Sequence, residues 1–440
     1  MGERAAVGAR LRAALATVDG PLRFLLLSSF LIPLGSFMVL PFMSVFLHER
    51  LGMGLGTVGV VLAAASFVQF SGGIVGGALA DRIGLRRTML WALVVRTAGF
   101  VGLLLALRWP PLAVGALILT CCGAALYLPA NKAYLIHGVD DERRPAFLSA
   151  GNAALNAGMA VGPLIAGPFV LSAPGGLFVA VTALFVMVTA GHARLPDAGA
   201  AHEPDPQQAS RPAAADGRST PPGRPGTDGR GGGLFAGVAV LPFAANALAF
   251  YLYFHFQHYL AVYAVERASS AFYSLVLLLC FTLVIVVQPL ASGLIRRMPY
   301  ATALAVGFTG LAAGLAVLAV GNRPALLAGG ALITLGDIVL FLKNDLEALR
   351  RSARSDAVVF GRQRLAAGLG AGLSGLVGGQ FYGLAEGAGN TGRFWLLAAA
   401  QCLLLPLLLP VLRGRATKPP PLDDEGALRP HDTDGRIPGR

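Results

Sequence analysis

Apolar runs separated by short polar turns recur along the whole chain, and most are about 20 residues or longer, the length a helix needs to cross a hydrocarbon core some 30 Å thick. Twelve runs are present, near 22–47, 55–80, 88–107, 111–136, 146–171, 174–195, 234–262, 271–294, 299–320, 324–348, 357–384 and 392–412. They predict twelve transmembrane helices and an all-α membrane protein. One break is long. Residues 196–233, "PDAGAAHEPDPQQASRPAAADGRSTPPGRPGTDGRGGG", combine Pro, Gly, Ala and scattered charge, and such a stretch cannot bury enough apolar surface to fold. The expected organisation is therefore an N-terminal segment 1–21, a six-helix half 22–195, a flexible linker 196–233, a second six-helix half 234–412 and a polar, Pro-rich tail 413–440.

Composition agrees, since 55% of residues are hydrophobic and 13% charged, against roughly 25% charged in a soluble globular domain. The formal charge of +12 does not point to nucleic acid, because the basic residues sit in the turns rather than in a block. They also alternate in side. One set of segments carries Arg4, Arg10, Arg12 and Arg23, then Arg82, Arg86 and Arg87, Arg143 and Arg144, Arg194 to Arg230, Arg296 and Arg297, Arg350, Arg351 and Arg354, and Arg413, Arg415 and Lys418. The opposite loops carry at most one each: Arg50, Arg108, none at 172–175, Arg267, Arg323 and Arg393. By the positive-inside rule both termini are expected in the cytoplasm, with the chain in the plasma (inner) membrane. Residues 1–21 are charged and precede an apolar run longer than a signal-peptide core, so that run is expected to remain as helix one. Cys121, Cys122, Cys280 and Cys402 lie inside apolar spans without metal-ligand spacing and read as packing residues; no metal or cofactor is expected.

A weak internal repeat joins "GAALYLPANKAYL" in span four to "GDIVLFLKNDLEAL" in span ten. Gly123 falls on Gly336 and Asn131 on Asn344, an offset of about 213. With six spans on each side of the linker, this predicts two pseudo-symmetric six-helix bundles.

The sharpest motif is "GGALADRIGLRRTML", residues 76–90, between spans two and three. It resembles the signature loop of the major facilitator superfamily, G-x-L-A-D-R-x-G-R-K, with Gly77, Leu79, Ala80, Asp81, Arg82, Gly84 and Arg86 matching and Leu85 standing where a basic residue is usual. The glycines are expected to permit tight helix ends. The resemblance implies that Asp81 pairs with basic residues and with the N-terminus of span eleven, near Ser355 and Asp356, to lock the two halves. In span five, Gly158, Gly162, Pro163 and Gly167 follow the pattern G-x-x-x-G-P-x-x-G-G with Ala166 at one glycine, which resembles the antiporter signature of the twelve-helix drug:proton exporters. Small residues four apart let helices approach backbone to backbone. The exporters' span-four Arg would fall near Leu117, and span one has no acidic residue, whereas "VVRTAGF" places Arg96 inside span three as in some exporters.

Ionisable groups at bilayer depth are costly and by default functional. Here they are Arg96, Lys132, His255, His258, Asp337, Lys343 and Asp345. Polar stripes run along span four (Thr120, Tyr127, Asn131), span seven (Asn246, Phe250, Tyr253, Gln257) and span ten (Thr334, Asp337, Phe341, Asp345), three of the four spans that line the cavity in that superfamily. The candidate proton and substrate site is therefore Asp337 with Arg96, Asn131, Asn246, Gln257 and Asp345. Asp337 stands mid-span with no opposite charge within a helical turn and is the favoured proton carrier. Asp345 and Lys132 lie nearer the ends, where a long side chain reaches the headgroups cheaply; Arg96 suits packing or gating; His255 and His258 suit the outer interface. The aromatic run "FYLYFHFQHYLAVY" of span seven suits an interfacial belt and a lipophilic solute. The reading is a monomeric secondary transporter in the lipid bilayer that exports a small lipophilic or amphiphilic molecule, with the proton as coupling ion. A proton-coupled importer and an uncoupled facilitator fit the same residues. A membrane enzyme is disfavoured, since the sequence has no H-E-x-x-H, no paired His/Cys ligands and no Gly-rich phosphate loop.

Overall fold

A computed structural model describes residues 20–137, 139, 144–197, 240–352 and 356–409, and among them every regular element is helical. The order is α1 (Gly20–Phe37), α2 (Leu55–Ser71 continued by Gly73–Ile83), α3 (Leu85–Ala106), α4 (Leu112–Leu135), α5 (Arg144–Ala166), α6 (Pro174–His192), α7 (Val240–Arg267), α8 (Ser270–Arg297), α9 (Tyr300–Leu318), α10 (Arg323–Arg350), α11 (Asp356–Gly387) and α12 (Gly392–Leu404). These are the twelve predicted spans. The linker beyond Asp197 and the tail lie outside the described residues.

Among the described residues eight helices are long and apolar enough to cross a membrane, and α2 makes a ninth when its two pieces count as one. The remaining three, α5, α7 and α11, have 23, 28 and 32 residues, enough to exceed a 30 Å core at about 1.5 Å per residue. They are less apolar because they carry Asn152 and Asn156, His255, Gln257 and His258, and Arg362, Gln363 and Arg364. The outer surface of the bundle is apolar, with Leu384 71%, Leu294 68% and Met187 65% exposed. Such a surface is at home against hydrocarbon and not against water.

Two spans depart from straight helices. In α2 the axis bends by 44° at Ser71–Gly72–Gly73, where small residues neither shield nor stiffen the turn. After α1 the chain continues to Arg50 in short helical turns, because Pro41 has no N–H to extend the ladder.

Helix partners repeat after a shift of six. α1 packs along α5 as α7 packs along α11, and α3 along α4 as α9 along α10; between the halves α2 meets α11 as α8 meets α5. The closest crossings lie at glycines. A side chain at Gly158 would strike Leu34 N and Phe30 O of α1, and one at Gly162 would lie 3.0 Å from Met38 N. Gly123 meets the α3 backbone at Ala92 and Arg96 in the same way that Gly336 meets the α9 backbone at Gly307 and Leu311. The repeat offset read from sequence is therefore an offset in packing.

This geometry predicts that Gly162→Leu forces α1 and α5 apart, at a cost of about 1–3 kcal/mol. Gly115→Ala in α4, where an added methyl meets nothing within 4 Å, should change little. Thermal unfolding of the purified protein in one detergent checks this. Equal midpoints for the two variants would show that the α1–α5 crossing is not tight.

Candidate functional site

The halves are joined at the end of the bundle opposite the basic 76–90 turn, and at mid-depth. Ser274 Oγ of α8 donates to Pro163 O of α5 at 2.6 Å, and Tyr273 Oη donates to Pro41 O at 3.3 Å. Phe42 and Tyr273 meet edge-on at 5.3 Å. His48 Nε2 lies 3.5 Å from Glu386 Oε1. On the other side of the bundle Gly59 of α2 lies against the α11 backbone at Gly375 and Gly379, and Ser66 Oγ lies 3.0 Å from His258 Nε2. Toward the basic-turn end the facing side chains change character. Lys132 of α4 and Arg364 of α11 remain accessible to solvent although protein surrounds them. The space between the halves is thus closed at one end and accessible at the other.

Asp337, 6% exposed on α10, lies in the second half one helical turn from Phe341. The Tyr253 hydroxyl of α7 accepts from Gln257 Nε2 and keeps its own proton to donate to the Asp337 carboxyl beside it. Cys280 of α8 borders the same carboxyl. No ion pair to Asp337 exists among the described residues. Half-buried rings continue from Tyr253: Phe341 at 5.6 Å, Phe250 at 4.5 Å from Phe341, and Phe70 of the first half at 5.4 Å from both Phe250 and Phe254. Arg364 stands over Phe70 at 5.9 Å, within electrostatic range of Asp345 and Lys132.

Of the six residues expected to form one site, the structure brings Asp337 and Gln257 together and places Asp345 farther along the same space, beside Arg364. The other three turn away. Asn131 Nδ2 donates to Ser29 Oγ of α1, and Asn246 Nδ2 donates to Gln363 O of α11, so both tie helices inside their own halves. Arg96 is buried in the first half, donating to Ser36 Oγ at 2.7 Å, lying 5.3 Å from the Phe185 ring, and leaving its Nε without a partner. Thr120 likewise faces Gly99 of α3, not the space between halves.

His255 and His258 do not occupy the interface expected for them. Both are buried, beside Ser374 and Ser66 respectively, because α7 is enclosed by α2 and α11 at this depth. Much of the span-seven aromatic run is core for the same reason, with Tyr259 at 5.5 Å from Tyr382 and Tyr263 at 5.2 Å from Trp395. Arg364 escaped the sequence reading. A guanidinium inside a glycine-rich span was the available signal, hidden because residues 361–364 sit close to the predicted start of that span.

In the 76–90 turn, Gly84 adopts φ +89°, which a side chain rarely tolerates, whereas Gly77 lies within a helix beside open space. Asp81 and Arg82 are exposed. Residues 353–355 before α11, where the partner of Asp81 is expected, lie outside the described residues. Arg86 Nη1 reaches Asp197 Oδ1 at 2.8 Å and its Nη2 donates to Ala193 O, which ties the turn to the end of α6. In the span-five motif, Gly158 and Gly162 face α1, while Pro163 and Gly167 face Ser274 and Ser270 of α8 across the halves.

A family model described as the Major Facilitator Superfamily matches residues 25–342. An uncharacterized MFS-type transporter of Mycobacterium tuberculosis is 31% identical over 154 residues, 35% of this chain and 36% of that protein. Multidrug resistance protein MdtH of Cronobacter sakazakii is 33% identical over 168 residues, 38% of this chain and 41% of that protein, and MdtH of Photorhabdus laumondii is 35% identical over 142 residues, 32% and 35%. The matched stretch thus spans little more than a third of these curated relatives. Among solved structures, the nucleoside transporter NupG superposes with TM-score 0.68 at 14% identity over 90% of this chain and 99% of that one. An auto-inhibited POT family peptide transporter gives 0.67 at 16% identity over 91% and 99%.

The Arg86 hydrogen bond holds the Asp197 carboxyl below its ordinary range. A carboxylate so shifted favours the contact at pH above its unperturbed value and loses it only as pH falls through the lowered one. A carboxyl-carbon NMR titration should therefore give Asp197 a midpoint under that of a free aspartate, returning to roughly 3.9 in Arg86→Gln. The same midpoint in both proteins would rule the contact out.

Proposed function

This chain belongs to the Major Facilitator Superfamily, and on that premise we propose that it is a secondary transporter exporting a small lipophilic or amphiphilic molecule by alternating access, with the proton as coupling ion. The observation that carries the proton is Asp337, a buried carboxyl with no ion pair among the described residues and with the Tyr253 hydroxyl beside it. A carboxyl held away from water and free of a fixed cation can be neutral or charged according to what shares the space with it, and this is what a carrier needs. The rings of Phe70, Phe250, Phe254 and Phe341 offer apolar faces that hold planar solutes with little directionality. The relatives named multidrug resistance proteins support export as the direction, over the third of their length that matches.

In this reading the basic-turn end is cytoplasmic, both termini and the 196–233 linker lie inside, and the protein acts as a monomer in the inner membrane. The described conformation then opens inward. Asp81 would pair with basic residues and with the start of α11 when the inner end closes, as the matching loop implies. The α5 motif would transmit that movement, since its glycines and proline touch both α1 and α8.

Three measurements test the proposal. Asp337→Asn preserves size and hydrogen bonding but cannot titrate; it should abolish proton-driven transport in proteoliposomes while leaving substrate binding largely intact. Unchanged coupled transport would make Asp337 structural and move the search to Asp345 or to an uncoupled facilitator. Asp81→Asn should reach the membrane in normal amount and transport poorly, so full activity would remove the turn from the gate. For topology, a cysteine introduced at Ser219 should resist impermeant reagents in intact cells, and labelling from outside would reverse the orientation.

A further inference from the structure

Three charged side chains at the accessible end of the central space have no part in the Asp337 site. Lys132 comes from α4 of the first half, and Asp345 and Arg364 come from α10 and α11 of the second. Arg364 interacts electrostatically with both of the others, yet none of the three makes an ion pair or a hydrogen bond among the described residues. Lys132 and Asp345 also occupy equivalent positions, since each follows the asparagine of the repeat, Asn131 or Asn344, by one residue at the same offset of 213 (344 − 131). Two cations from opposite halves are thus within electrostatic reach of each other, with one carboxylate near Arg364. Side chains that served only to reach lipid headgroups would point outward from the bundle and diverge. Here Arg364 of the second half instead reaches across to Phe70 of the first, within electrostatic range of Lys132.

From Arg364 an aromatic path leads inward. The guanidinium stands over Phe70 at 5.9 Å, and the rings of Phe250 and Phe341 follow toward Tyr253 and Asp337. Resting on the transport reading above, we propose that the transported molecule is an amphiphilic monoanion, a planar apolar body with one carboxylate-like group. The acidic group sits between Lys132 and Arg364, and the apolar body lies along Phe70, Phe250 and Phe341. Charge-assisted hydrogen bonds from ammonium and guanidinium select the anion. Asp345 cancels one of the two positive charges, so a single negative charge balances the site, while a lipophilic cation meets two repulsions and one attraction.

The test uses the full-length protein in nanodiscs of phosphatidylcholine, with 2-naphthoate, the neutral 2-naphthamide and the cationic 2-naphthylmethylammonium titrated by calorimetry. Naphthoate should bind about tenfold or more tightly than naphthamide. Arg364→Gln and Lys132→Gln should each remove most of that preference without weakening naphthamide, and Arg364→Lys, which keeps the charge, should retain much of it. Asp345→Asn should tighten naphthoate. Absence of naphthoate binding, equal affinity for acid and amide, or a preference that survives both glutamine substitutions would overturn the proposal. So would displacement of naphthoate by phosphatidylglycerol added to the nanodiscs, because the cations would then belong to lipid headgroups. Flux in proteoliposomes separates this inference from the one beneath it. Transport of the amide or the ammonium compound with no preference for naphthoate removes the anion site and leaves a transporter, whereas selective naphthoate binding with no flux of any of the three removes the transport reading and leaves the site.

Discussion

In a bilayer the lipid tails are as apolar as leucine, so helices are drawn together by close contact and not by escape from water. In this bundle the closest contacts lie where glycine removes the side chain. Gly158 and Gly162 admit the backbone of α1, Gly123 that of α3, Gly336 that of α9, and Gly59 meets Gly375 and Gly379 directly. The first three crossings build the halves, and the last fixes how the halves meet. Because α2–α11 and α5–α8 are pressed together, with the polar and aromatic bridges of α1, α7 and α8 closing the same end, the faces of α4, α7, α10 and α11 toward the basic-turn end are left apart. The location of the central space is a consequence of where small residues let the helices approach.

Polar side chains inside such a bundle divide according to what they meet. An amide can satisfy itself on a neighbouring hydroxyl or backbone carbonyl, as Asn131 does on Ser29 Oγ and Asn246 and Asn344 do on Gln363 O and Pro242 O, each tying two helices of one half. The asparagine ties at Asn131 and Asn344 reach partners 102 residues upstream in both cases, so the repeat is kept at the level of single hydrogen bonds. A carboxylate or guanidinium is harder to satisfy. Leaving one buried without an ionic partner costs stability unless the charge can be discharged or shared with something that enters. Arg96 is shielded by Ser36 and the Phe185 ring within the first half, whereas Asp337 has only uncharged groups, the Tyr253 hydroxyl among them, beside it.

Symmetry of backbone and asymmetry of charge are therefore combined in one fold. The two halves share their packing partners and their asparagine ties, but the position after the asparagine is Lys132 in one and Asp345 in the other, and Arg364 has no basic counterpart at Gly151. Duplicated helices supply a frame in which equivalent positions face each other. Unequal side chains at those positions give the space between the halves a direction, with cations at its accessible end, rings along its wall and a lone carboxyl at depth.

By itself the sequence determined the twelve spans and the Gly84 turn, because each of these is a local property: a run of apolar residues, and a left-handed backbone that only glycine tolerates easily. It did not determine which way a polar residue faces. Helical spacing put Thr120 and Asn131 on a stripe with Tyr127, and Asn246 on one with Tyr253 and Gln257, yet Thr120, Asn131 and Asn246 are each turned toward a neighbouring helix, since a stripe broad enough to be seen in sequence is wider than the face that lines the space. The burial of His255 and His258, the link from Arg86 to Asp197 and the approach of Arg364 to Lys132 from the other half were likewise decided only in three dimensions. The physical reason is the same in each case. The solvation of a side chain in a membrane bundle depends on which other helix stands beside it, and that neighbour lies as many as 338 residues away along the chain, as Glu386 does from His48 (386 − 48).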